Sequence, residues 1–182
     1  MSHYRIHSIE SAPEKSRPAL QSLKSAFGII PNLAASMAES PVLLGGFVGA
    51  FANFHGGTFT GGQKQVLLLT NAVTNTCGWA VAFHSTMARK EGVSAEDVRA
   101  IRERRLPGDP GLAALSAFTR ALIEKRGHVG DQAVATFVEA GFGHDQVLEV
   151  IAGLAVSTMA NYAGNITRPA VEDPFRAQAW EE

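Results

Sequence analysis

The chain has 182 residues and a mass of 19.3 kDa, with 46% hydrophobic and 8% aromatic residues and 16 basic against 17 acidic side chains. A chain of this length buries about 70% of its unfolded surface, so it can build a core without staples. A net charge of -1 excludes the broad basic field that nucleic acid needs, and one cysteine excludes both an intramolecular disulfide and a cysteine-rich metal centre. Met1 to Pro13 is polar and charged where a secretory leader would be apolar, which predicts a cytoplasmic protein with a single domain over residues 1–182. No membrane span is predicted: Val42 to Phe54 is short, and Val66 to Phe83 is interrupted by Thr70, Asn71, Thr74 and Asn75.

Alanine, at 28 copies, is the commonest residue, and strict apolar and polar alternation is hard to find, so the chain reads as helix throughout. Ser16 and Pro18 open a first helix with Leu20, Leu23 and Phe27 on one face and Gly28 at its end. Asn32 is expected to cap a short helix to Met37. Ser40-Pro41 starts another, to about Phe54, whose Gly45, Gly46 and Gly49 would let a neighbouring helix approach closely. Thr60 and Gln63 form a capping-box pattern before the most apolar stretch, Val66 to Val73. A helix from Trp79 to Lys90 follows, and Asn75-Thr76-Cys77-Gly78 predicts a break between the two. Ser94 caps a helix to about Arg105, and Leu112 to Leu122 mark one that Gly127 closes. Asp131 caps another, ended by Gly141, and a long last helix runs from about Asp145 to Ala163 before a proline-containing tail. The expectation is all-α, about eight helices and no sheet.

Cys77 and His84 are the pair with chemical potential. Seven residues on one helix amount to about 700° of turn and ~10.5 Å of rise, so the two share a face without touching. Ala80 lies one turn below His84. Should Thr76 cap a new helix, Cys77 falls in its first turn, where free N–H groups lower a thiol pKa. A lone cysteine on an apolar helix is most often a small buried core residue. His3, His7, His55, His84, His128 and His144 have no metal-binding spacing, there is no Gly-x-Ser-x-Gly elbow, and Gly45 to Gly49 lacks the Gly-Lys-Ser/Thr of a phosphate loop. No metal or cofactor is expected.

The run Leu67 to His84, LLLTNAVTNTCGWAVAFH, resembles the core motif of the alkylhydroperoxidase D-like and carboxymuconolactone decarboxylase superfamily. The likeness extends to Gly28-Ile29-Ile30-Pro31-Asn32, to Met37-Ala38-Glu39-Ser40-Pro41, and to the closing segments Gly141-Phe142, Gln146 to Val150 and Ala160-Asn161-Tyr162. It implies the alkylhydroperoxidase D-like helical fold in a homo-oligomer, for which the apolar Leu43-Leu44 and Phe47 to Phe54 surface is a candidate contact. Redox members of the family carry a Glu, a Cys-x-x-Cys twelve residues later, and a His four residues after the second Cys. Here these places hold Gln65, Cys77, Ala80 and His84. The second thiol and the carboxylate are missing, so the dithiol–disulfide cycle is chemically closed.

The resemblance then implies a peroxidase-like, peroxiredoxin-type antioxidant with one thiol. Cys77 would be the nucleophile, His84 an indirect proton partner and Gln65 a third site residue, with an external thiol reductant resolving the sulfenic acid. Trp79, Ala80, Asn161 and Asn165 are expected to line the same pocket, with Cys77 and His84 facing one shared hollow. Two alternatives stand beside it. One is a decarboxylase or other lyase acting on a small carboxylated ring compound, with His84 as acid or base and Arg168 holding the carboxylate. The other is a non-catalytic small-molecule-binding protein on the same scaffold. The expected partners are a small-molecule substrate and further copies of the chain, with no nucleic acid and no membrane.

Overall fold

The computed structural model describes residues 4–180, which leaves His3 outside the described residues. Nine α-helices occur there, and no strand: α1 (Arg17–Phe27), α2 (Asn32–Met37), α3 (Pro41–His55), α4 (Gly61–Thr74), α5 (Gly78–Lys90), α6 (Ala95–Arg102), α7 (Pro110–Glu124), α8 (Gly130–Glu139) and α9 (His144–Thr167). Short 3-10 turns at Glu14–Ser16 and Asp173–Gln178 flank them. The all-α expectation holds, and most boundaries follow the local chemistry. Gly28 ends α1 in the left-handed region at φ 74°. Ser40, Ser94 and Asp109 each accept a backbone N–H at their helix starts. Thr60 and Gln63 close a reciprocal capping box on α4.

Three start signals act differently from the sequence expectation. Asn32 is the first residue of α2 and not its side-chain cap, because its amide donates to the Ala170 carbonyl instead. Asp131 lies one residue inside α8, which Val129 precedes without a side-chain cap. Ser16 donates to the buried Ala38 carbonyl at 2.7 Å and so ties α1 to the end of α2.

The molecule is organised around α4. Every residue from Lys64 to Val73 is buried, and α5, α6, α7 and α9 all pack on it. A helix covered on all sides should be apolar all round, as Val66 to Leu69 are. The neighbour α9, which runs parallel to α4 with Gly153 beside Leu67, Asn161 beside Asn71 and Asn165 beside Asn75, is long and apolar enough to cross a bilayer by length and composition alone. It is a core helix here, burying Gly153, Val156, Ser157, Ala160, Asn161 and Gly164 against α2, α3, α4 and α5.

The close helix approach foreseen at Gly45, Gly46 and Gly49 occurs elsewhere. A Cβ at Gly45 or Gly49 would meet nothing within 4 Å, and one at Gly46 only the Met159 sulfur at 4.0 Å. A Cβ at Gly153 would instead fall 2.6 Å from Leu67 and 2.9 Å from Phe54, so it is α9 that needs glycine. Leu44 and Phe54 are buried, and Phe47 and Phe51 are half-buried against the core, which leaves less of α3 as free apolar surface than the sequence suggests. Val42 remains exposed, as do Leu148, Ile151, Tyr162 and Ile166 on α9.

Candidate functional site

The break between α4 and α5 is built by two overlapping signals. Thr76 takes the left-handed conformation at φ 52°, and the N–H groups of Thr76 and Cys77 bond back to the carbonyls of Val73 and Ala72. This is the Schellman closure, with threonine where glycine is usual. Cys77 then turns extended (φ -97°, ψ 93°) and is itself the N-cap of α5, one residue earlier than a Thr76 cap would have placed it. The Asn165 amide of α9 holds the break by donating to the Asn75 carbonyl at 2.9 Å.

The Cys77 sulfur is sealed. The residue is 1% exposed, and a Cβ added to Gly164 would sit 2.7 Å from the sulfur and 3.4 Å from Leu33. Only a glycine on α9 leaves room for it. Burial pushes the thiol above its ordinary value, outweighing the backbone N–H groups of Ala80 and Trp79, which favour the thiolate. The lowered pKa expected from the helix start is therefore corrected: the dipole acts, but desolvation by α2 and α9 is larger.

His84 stands on α5 with its side chain against α4. Its Nδ1 lies 2.9 Å from the Gln65 Oε1. Burial, with a smaller contribution from the nearby His55, holds its pKa down to about 3. The imidazole is thus neutral near pH 7. A carbonyl oxygen can only accept, so the single ring proton belongs on Nδ1, and Nε2 keeps its lone pair with no partner among the described residues. Gln65 is in this sense the residue that fixes the tautomer. His55 stacks on Phe51 at 4.0 Å, and its own pKa is lowered by burial and by Lys64.

Two cavities meet at Trp79. The first, of about 50 Å³, is lined by His84, Ser157, Ala80 and a hydrocarbon and aromatic wall that includes Phe27, Phe47, Phe51 and Phe83. Its enclosed volume holds a few waters and is about a third of the ~150 Å³ that takes a benzene ring, so a ring bound here extends through the open side of the cavity. The second, of about 500 Å³, is open and more polar, and is lined by Thr76, Cys77, Gly78, Asn165 and Arg168. Cys77 and His84 therefore face different spaces, which corrects the shared hollow expected of them. Asn161 lines neither: it is fully buried, bonding Asn71 at 3.0 Å and Ser157 at 3.2 Å. Trp79 is the wall between the two. It stacks on Phe83 at 5.1 Å and donates its Nε1 proton to Glu172 at 2.8 Å, while the other oxygen of Glu172 accepts the Asn32 N–H at 2.6 Å.

The site predicted from sequence is thus divided. Ala80 and His84 come together at the apolar cavity, with Gln65 bonded to His84 behind it, and Cys77 and Asn165 come together at the open one, with Trp79 touching both. Sequence reading missed Ser157 and the α3 aromatics. Phe47 and Phe51 do carry a signal, an i,i+4 pair on the helix that packs beside α9. Ser157 carries none, because a serine in an alanine-rich helix has many ordinary uses. Among the described residues no three His, Cys, Asp or Glu side chains converge as a metal site.

Residues 46–124 match the model of the carboxymuconolactone decarboxylase family. No curated protein matches the chain by sequence. Among solved structures, a peroxidase-related protein with the alkylhydroperoxidase AhpD core from Ralstonia eutropha JMP134 superposes with a TM-score of 0.83 at 17% identity, covering 96% of this chain and 94% of that one. A cysteine-to-alanine variant of the debrominase Bmp8, in complex with 2,3,4-tribromopyrrole, gives 0.78 at 17% identity, with 98% and 97% covered. A peroxidase-related protein from a Silicibacter species gives 0.78 at 12% identity, with 97% and 93% covered. These identities establish a shared fold and nothing finer.

Proposed function

We propose that the chain is a member of the carboxymuconolactone decarboxylase family, whose model its residues 46–124 match, and that it binds a small, uncharged, planar ring compound at the apolar cavity, with His84 Nε2 accepting a hydrogen bond from a ring N–H or O–H. The observation that carries this reading is the neutral imidazole, its Nδ1 tied to Gln65, at the edge of an aromatic-walled cavity. Aromatic walls favour a ring, and a cavity with no lysine or arginine in its lining disfavours a carboxylate. Arg168, the residue a carboxylated substrate would need, opens onto the other cavity. The pyrrole bound by the debrominase neighbour is a ring of the favoured kind.

A base with a pKa of about 3 does not take a proton from such a donor; it orients the ring. It is equally unsuited to act as a general acid at pH 7, because it carries no labile second proton. This weighs against the decarboxylase alternative in which His84 gives and takes protons. The test is calorimetric titration with 2,3,4-tribromopyrrole. The parent should bind, and His84→Gln should bind about tenfold more weakly, the scale of one lost hydrogen bond. Absence of binding to the parent, or equal affinity in the two, would refute the reading.

A second reading keeps the single thiol as the reactive group. It is favoured by the N–H groups of Trp79 and Ala80 that stabilise the thiolate of Cys77. In that chemistry the thiolate attacks a peroxide oxygen, the O–O bond breaks, and the departing alkoxide takes a proton to leave as alcohol. The resulting sulfenic acid condenses with an external thiol, releasing water, and a second thiol returns the cysteine. Hydroperoxide consumption with added thiol should be slow in the parent and unchanged in Cys77→Ser, since a buried thiol with a raised pKa offers little thiolate. A rate that collapses in the variant would restore the thiol reading.

A further inference from the structure

The apolar cavity has one polar group besides His84 in its lining: Ser157 on α9, 2% exposed. The direction of its hydroxyl is set by a chain of amides that runs across the core. The Asn75 side-chain Nδ2 lies 3.1 Å from the backbone carbonyl of Asn71 and 2.6 Å from its Oδ1. A backbone carbonyl only accepts, so the Asn75 amide must present its NH₂ here, and Asn71 must present its oxygen. Asn71 Oδ1 is also 3.0 Å from Asn161 Nδ2, so that amide presents its NH₂ in turn and donates to Ser157 Oγ at 3.2 Å. Ser157 is thereby fixed as an acceptor from behind, and its own proton is left to be donated.

Among the described residues no acceptor takes that proton, and the buried Oδ1 of Asn161, on the amide that donates to Ser157, is itself left without a partner. Ser25, Thr74 and Thr86 each bond back to the carbonyl four residues earlier, and Ser157 makes no such bond to Gly153. A buried hydroxyl without an acceptor is costly, which favours a cavity occupant that supplies one. The same reasoning, run from Gln65, leaves His84 Nε2 as a bare acceptor. The lining therefore offers one donor and one acceptor in an otherwise apolar space.

Resting on the ring-binding reading above, we propose that Ser157 is a specificity-determining residue: its hydroxyl donates to an acceptor on the bound ring. The ligand class is then a small planar heteroaromatic or phenolic compound with both an N–H or O–H donor, for His84, and a carbonyl-type acceptor, for Ser157.

The test compares pyrrole, which has only the donor, with pyrrole-2-carboxaldehyde, which has both, by calorimetry on the parent and Ser157→Ala. The parent should bind the aldehyde about tenfold more tightly than pyrrole, and the variant should lose this preference. The carbonyl stretch of the bound aldehyde should also move to lower frequency in the parent, a readout that needs no variant. Both ligands binding with equal affinity in the parent, or an unshifted carbonyl stretch, would overturn the role of Ser157 and leave the ring-binding reading standing. Failure of both ligands to bind would overturn both.

Discussion

Acidification should destabilise the protein by about 2.3 kcal/mol between pH 6.5 and pH 4.5 through His84 alone. Its folded pKa is held down to about 3, against an ordinary value of 6.5 in the unfolded chain. Between these values the unfolded state binds the proton and the folded state does not. Stability is therefore fully present above about pH 6.5 and declines as pH falls toward 3, at up to about 1.4 kcal/mol per unit. The physical cause is burial among Phe83, Ala80 and the α4 surface, where an imidazolium would lose its hydration and gain only a neutral Gln65 as partner. Denaturant titrations at several pH values in the parent and in His84→Gln should differ by this slope. His55 and Asp97, whose pKa values are also lowered, contribute to both proteins and cancel in the comparison. Parallel pH profiles would mean that His84 titrates normally and that its environment is wetter than described.

Replacing Trp79 should have the largest effect of any single truncation at the site. Trp79→Ala removes a ring that is 8% exposed, stacked on Phe83, and bonded to Glu172, so a loss of about 3–5 kcal/mol is expected. For a chain of this size that is a fall in melting temperature of roughly 6–20 °C. The functional consequence follows from the same position. Because Trp79 lines the open cavity beside Cys77, its loss uncovers the thiol to that side, and alkylation of Cys77 by iodoacetamide should accelerate by about tenfold or more as water and reagent reach the sulfur. Trp79→Phe keeps the stack and loses only the hydrogen bond to the Glu172 carboxylate, at a cost of about 1.5–3 kcal/mol, and should leave Cys77 protected. Equal alkylation rates in the parent and the alanine variant would show that the wall lies elsewhere.

The helices were legible in the sequence because their ends depend on local chemistry. Thr60 with Gln63, Ser40 with Pro41, and Gly28 act within one turn of the backbone they cap, so spacing alone reveals them. The break at Asn75 to Cys77 was legible for the same reason. Which residue would cap α5 was not, because the outcome depended on Thr76 adopting a left-handed conformation that its side chain does not favour.

The site was half legible. The spacing of Ala80 and His84 along α5 does bring the two to one cavity, and Gln65 on α4 bonds His84 from behind. The state of Cys77 could not be read the same way. Its helix-start position argued for a reactive thiolate, while the opposing effect comes from Gly164 and Leu33, which are distant in sequence. Ser157 was hidden for a related reason: its polarity is set by Asn75, Asn71 and Asn161 across three elements, and no spacing rule on α9 encodes that.

The most direct measurement is a nitrogen NMR titration of histidine side chains with 2,3,4-tribromopyrrole, followed together with the Cβ signal of Cys77. A resonance of His84 Nε2 that begins as a free lone pair and moves on ligand addition, with Cys77 undisturbed, is the predicted result. A ligand-dependent change at Cys77 while His84 stays fixed would contradict it, and would assign the chemistry to the sulfur side of Trp79.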